Sequence, residues 1–277
     1  MSDLEKLLEK IDKITAPFRL VNDQLNQVIP PYIQKINQVL APVAAGVQEL
    51  LRNNIGFFEE LSSAVTKIAA AGKRWQEARK ADVALMAENG WYPNWFTFFY
   101  SPEAEPISLD ELMIMHLNDN WSEITQKIIE LCPNRALILE NAFTLHRSGN
   151  YVAAIPLFLS QADGICCESL KSFLFTGNET EEKIQQLIEG GQIEANMFTD
   201  IFLEPFKLKN HHNAGISKSS LQAKAKAPNR NGIMHGHRKH LDYGSEINSL
   251  KCFSLLSFIT YSTKDLLNKE LQSDSPL

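Results

Sequence analysis

The run GSEINSLKCFSLLSFITYSTKDLLNKEL, residues 244–271, constrains this chain more than any other stretch. Read as a helix, it is apolar nearly all round between Ile247 and Ile259, so it has no face suited to water. Such a helix is stable only when surrounded, which makes it the expected centre of a bundle built from the rest of the chain. No stretch of useful length alternates apolar and polar residues in the manner of a half-buried strand, so the expected fold is all-α. At 277 residues, 44% of them hydrophobic and 22% charged, the chain is long enough to bury a real core and too apolar to be disordered.

The N-terminal third carries apolar residues alternately three and four apart: Leu4, Leu7, Ile11, Ile14, Phe18, Val21, Leu25 and Val28. After Pro30-Pro31 the rhythm resumes from Ile33 to Leu50, and it returns at Phe58, Leu61, Val65 and Ile68. Each run places one apolar seam on a helix, as in antiparallel bundles and coiled coils. Residues 1–87 are therefore expected to form a hairpin or bundle of long helices, an oligomerisation or sensor region through which a regulatory protein partner could dock. The stretch ENGWYPNWFTFFYSPEAEP breaks the period, and residues 88–107 read as an aromatic, proline-rich connection. Trp91, Trp95 and the phenylalanines there are expected to seal a contact between domains rather than to stack on bases.

Residues 108–277 form the second expected domain. Ser108 and Glu111 make a capping box ahead of a helical pattern. Two further helical runs, PNRALILENAFTLHRSGN and YVAAIPLFLSQADGICCESLKSFLF, meet at Ser148-Gly149-Asn150 and should pair as a hairpin. This turn resembles the middle of a tetratricopeptide unit, but no copy recurs at the period a repeat array would need. A short polar helix, a break at Gly190-Gly191 and another helix should follow.

The N-terminal residues are charged throughout, without a signal-peptide apolar region. No uninterrupted apolar run is long enough for a transmembrane helix, so no membrane role is expected. Four cysteines without zinc-site or disulfide spacing fit a reducing, cytoplasmic setting. Net charge is −6, which argues against a surface that is adhesive to nucleic acid everywhere. Its distribution is uneven, however. From Pro205 to Leu241 there is no Asp or Glu, whereas Lys207, Lys209, Lys218, Lys224, Lys226, Arg230, Arg238 and Lys239 all fall there, with five of the seven histidines. A local positive field on an acidic body points to a polyanion site, and these lysines, with Arg238, are candidate RNA-phosphate contacts.

Within that window APNRNGIMHGHRKH, residues 227–240, concentrates the chemistry. Pro228 or Asn229 can open a short helix, Pro228 by its fixed φ and Asn229 as a cap. Asn231 and His235 are four apart and share a face, and Arg230 and His237 are seven apart and share another. Gly232 and Gly236 remove bulk beside both. His235, His237 and His240 do not make a good metal set, because histidines two apart do not share a helix face and no cysteine or carboxylate completes the ligands. No metal or other cofactor is expected. His211-His212 reads as a solvated loop pair.

The run RNGIMH, Arg230 to His235, resembles the R-x4–6-H motif of HEPN-domain ribonucleases. The polar residue after the arginine, the glycine after the histidine and the position ahead of a last buried helix match as well, and YVAAIPLFLSQADGI resembles that family's second major helix. The resemblance covers roughly residues 108–270. It implies metal-independent RNA cleavage, often at a composite site where two copies of the motif face each other in a homodimer or higher oligomer, and in many such families a toxin or phage-defence role. Arg230 would stabilise the phosphorane, His235 would move protons, and Asn231 would orient one of them. His237 also satisfies the spacing. Asp163, on the core-facing side of its helix, would orient His235 or Arg230, or else make a packing salt bridge. The alternatives are a helical RNA-binding or scaffold protein without catalysis, and an interaction protein of the tetratricopeptide kind.

Overall fold

The computed structural model describes residues 57–102, 108–175, 179–193, 197–208, 210–216, 226–263 and 266. Among the described residues there are helices and turns and no strand, so the protein is all-α. The chain divides into two compact units, 1–72 and 73–277, earlier than the expected boundary at residue 87. The seams from Leu4 to Leu50 lie outside the described residues, and the last seam, Phe58 to Ile68, falls on one long helix, α1 (Phe57–Glu88).

The second unit continues with α2 (Leu109–Asp119), α3 (Trp121–Leu131), α4 (Ala136–Arg147), α5 (Tyr151–Leu170), α6 (Glu179–Glu189), α7 (Met197–Leu203), the short α8 (Arg230–Met234) and α9 (Glu246–Ser262). As its composition required, α9 is central: every residue from Ser249 to Tyr261 is buried. It packs most extensively on α5, with α2, α3 and α7 also against it. The α4–α5 hairpin forms as expected, its turn made by Gly149 at φ +78°, a conformation that costs glycine little. Ser108 Oγ accepts from the backbone N–H of Glu111 at 3.2 Å, starting α2.

The polar residues of α9 attach neighbouring segments to it. Ser249 Oγ lies 2.8 Å from His146 Nδ1, Ser254 Oγ accepts from the backbone N–H of Tyr92 at 3.2 Å, and Ser257 Oγ accepts from Asn94 Nδ2 at 3.2 Å. Buried polar atoms need such partners, and non-helical backbone needs them most. The 91–99 stretch thus belongs to the second unit's own core, which corrects its reading as a contact between domains. Trp91 and Tyr92 are buried, Trp95 and Phe98 pack on Phe202 of α7, and Phe96 meets Tyr261 edge-on. Lys251, buried on α9, ties three segments together. Its ammonium donates to the carbonyls of Asn89 at 2.9 Å and Lys226 at 2.8 Å, stands 3.6 Å from Asp110 and lies over the Trp91 ring.

Pro156 sits inside α5 and has no N–H to offer the carbonyl four residues back. That carbonyl, Val152 O, accepts instead from the Tyr243 hydroxyl at 3.0 Å, which fastens the α8–α9 connection to α5. Tyr243→Phe should lower stability by about 0.5–1 kcal/mol, because one exposed hydrogen bond is lost and water can partly replace it. Urea denaturation of the two proteins would measure it. Among the described residues, no helix is long and apolar enough to cross a membrane.

Candidate functional site

The motif helix α8 is short and is set from outside. Asn229 is its N-cap, as one of the two sequence readings had it: Asn229 Oδ1 accepts from Gly232 N–H at 3.1 Å, and the side chain is buried. Arg230 follows at the first helical position. Its guanidinium donates to Asp163 Oδ2 on α5 at 3.3 Å and to Asn231 Oδ1 at 3.0 Å, and it lies 5.2 Å from the centre of the Phe175 ring. Asn231 in turn donates from Nδ2 to Asn213 Oδ1 and to the Ala214 carbonyl. Arg230, Asn231 and Asp163 are therefore brought together, and of the two partners open to Asp163 the structure selects Arg230.

The electrostatics of this pair are asymmetric. Asp163 has 13% of its side chain exposed, and Arg230 has 29%. Burial raises the Asp163 carboxyl above the usual carboxylate range, and the opposing pull of Arg230 and of the Leu174 and Phe175 backbone N–H groups does not fully cancel it. Among the described residues only two of the five guanidinium N–H groups are engaged, which leaves donors for an anion.

His235 is the C-cap residue of α8 and is exposed. Among the described residues its ring has no hydrogen bond or ring partner, and nothing joins it to Arg230. His237 is differently employed: Gly236, at φ +60°, turns the chain, and His237 Nδ1 then accepts from the Lys239 N–H at 3.3 Å as the cap of a 3-10 turn over Arg238–His240. The third histidine of the cluster, His240, is buried. Its Nε2 lies 3.0 Å from the Ile216 carbonyl and must carry the proton to bond there. The His240 ring rests directly on Gly232, where an added Cβ would fall inside it. Gly232→Ala should therefore cost about 1–3 kcal/mol through displacement of that ring, readable as a lower thermal midpoint.

The basic residues divide. Arg238 and Lys239 are exposed beside the motif. Lys226 is exposed but donates to Asn89, and Lys207 is paired with Asp200 and Glu204. Lys209, Lys218 and Lys224 lie outside the described residues. The reading of His211-His212 as solvated is corrected at His212, which is fully buried against Tyr92 and 3.9 Å from Cys252 Sγ. Burial drives its pKa down to about 3, the carbonyls of Pro228 and Gly90 offsetting part of the effect. No family model, curated protein or solved structure matches this chain. The site stands on its own geometry.

Among the described residues no cluster of three or more His, Cys, Asp or Glu side chains is arranged to hold a metal ion. Sequence reasoning missed Phe175, in the turn after α5, and Asn213, at the end of a 3-10 turn over His211–Asn213, which contact Arg230 and Asn231. No periodicity marks either residue.

Proposed function

We propose that the protein is a metal-independent endoribonuclease of the HEPN kind, with its site at Arg230, Asn231 and His235. The observation that carries the reading is the fixed Arg230: Asp163, Asn231 and Phe175 hold the guanidinium with one edge open, and the exposed His235 closes the same short helix. A ribose 2′-hydroxyl would attack the adjacent phosphorus, giving its proton to an imidazole acting as general base. The guanidinium would take the charge that builds on the non-bridging oxygens. The phosphorus–O5′ bond then breaks, and the leaving oxygen takes a proton from a second imidazole, leaving a 2′,3′-cyclic phosphate and a 5′-hydroxyl. With one such histidine per motif, the second is supplied by another copy of the chain, which makes the active form a homodimer or higher oligomer. Arg238 and Lys239 would hold flanking phosphates. A cytoplasmic toxin or defence role, with a regulatory protein partner at the N-terminal helices, follows from the same reading.

One observation favours the second reading, a helical RNA-binding or scaffold protein without catalysis: Arg230 already has a carboxyl partner and could serve packing alone. Incubating the full chain with mixed RNA in the presence of a metal chelator decides between them. New ends bearing 5′-hydroxyl and 2′,3′-cyclic phosphate, absent with His235→Ala, support the ribonuclease. Intact RNA at high protein concentration, with RNA still retained, supports the scaffold.

A further inference from the structure

A cavity of about 320 Å³ lies on the α9 side of the motif helix. Asn229 and Ile233 of α8 form one wall, and Ile247 and Asn248 of α9 form another. Lys239 and Asp242 line it from the connection between the helices, while Asp110 and Lys251 contribute two further charges. It is neither an apolar gap in the core nor a single-sign anion site, since its lining includes two lysines and two aspartates beside Ile233 and Ile247. Its lining joins the motif at two points: Asn229 precedes Arg230, and His240, which also borders the cavity, packs on Gly232. Lys251, nine-tenths buried, is held by two backbone carbonyls and so cannot move aside to fill the space.

We infer that this cavity is a nucleobase site, which takes a base carrying an exocyclic amino group from the RNA strand bound at the motif. A flat heteroaromatic ring needs apolar walls for its faces and hydrogen-bonding groups for its edge, and base recognition in single-stranded RNA uses that combination. The volume accommodates a nucleoside but not a long peptide. Asp110 Oδ1 accepts from Trp91 Nε1 at 2.6 Å and stands 3.6 Å from the Lys251 ammonium, which leaves the other oxygen of this half-exposed carboxylate to accept from an amino group. Lys239, exposed next to the motif, is placed to meet the phosphate of the same nucleotide. A base with a carbonyl in place of the amino group would set an acceptor against the Asp110 carboxylate. That discriminates against uracil.

The inference rests on the ribonuclease reading for its choice of ligand, but it is tested by binding alone. Titration of the full chain with guanosine, adenosine, cytidine and uridine 5′-monophosphates, followed by calorimetry or amide shifts, should show the uridine nucleotide at least about tenfold weaker than the best of the others. Asp110→Asn, which keeps an oxygen acceptor for Trp91, should remove most of that discrimination. Lys239→Ala should weaken all bound nucleotides alike, and Ile247→Trp, which fills the cavity, should abolish binding while the melting profile stays cooperative. If no nucleotide binds the wild type, or if all four bind equally and Asp110→Asn changes nothing, the inference is overturned, whether or not RNA is cleaved. Discrimination without any cleavage would leave the base site standing and overturn the ribonuclease instead.

Discussion

Arg230→Ala should reduce RNA cleavage about 100- to 1,000-fold, the loss seen when a pre-aligned donor to a developing oxyanion is removed. His235→Ala should cost about as much, since general acid–base groups contribute roughly 100- to 10,000-fold. The two variants should differ in stability. Truncating Arg230 leaves the largely buried Asp163 side chain without its ion-pair partner and strips the Phe175 ring of its covering cation, so Arg230→Ala should also melt earlier. The His235 ring is exposed and has no hydrogen bond among the described residues, so its variant should melt with the wild type. Arg230→Lys keeps the charge but not the planar fork, and it should recover only a small part of the rate. Cleavage that persists in His235→Ala and disappears in His237→Ala would move the proton transfer to the second candidate. Cleavage that survives both removes histidine chemistry from this motif.

Acid should destabilise the fold strongly between pH 6.5 and 4. Burial lowers His116 and His146 from 6.5 to about 4 and His212 to about 3. Each is neutral when folded and takes a proton when unfolded, so the unfolded state binds more protons across this window and stability falls with pH. Above pH 6.5 the contribution is complete, and below the folded pKa no more is lost. At pH 5 each ring should cost on the order of 2 kcal/mol, and three together approach the whole stability of a typical domain. The packing explains the depression: His146 lies stacked on Trp121, His116 is bonded to Thr97, and His212 is enclosed by Tyr92 and α9. Asp163 acts in the opposite sense, because a carboxyl raised by its surroundings is relieved as pH falls. Urea midpoints at pH 7.5, 6 and 5 would measure the balance, and a flat series would show that these rings are not buried in solution. The His212→Asn variant should give a shallower slope than the wild type.

Much of the fold was legible because burial imprints itself on local pattern. The α4–α5 hairpin could be read from two helical periods and a glycine turn, and Asn229 from its chemistry as a cap. The aromatic stretch was misplaced because aromatics in irregular backbone look alike whether they seal an interface or a core. What identified them as core was Ser254 and Ser257 reaching Tyr92 and Asn94, bonds that span more than 160 residues of sequence. His212 failed for a related reason. A histidine pair in a basic loop reads as wet, and only the fold reveals that one of the two is covered on every side.

The chain by itself determined an all-helical protein with the apolar stretch Ile247–Ile259 at its centre, since a helix apolar all round has no other stable place. It also determined where the unusual chemistry is concentrated, through charge segregation and one short motif. The tertiary structure alone decided that Lys251 could be buried in that central helix, by supplying two carbonyls and a ring for its ammonium. It alone paired Asp163 with Arg230 across 67 residues and left His235 open. The physical reason is the same in each case: apolar burial is written in the spacing of residues along one helix, whereas the satisfaction of a buried charge depends on which distant segment meets it.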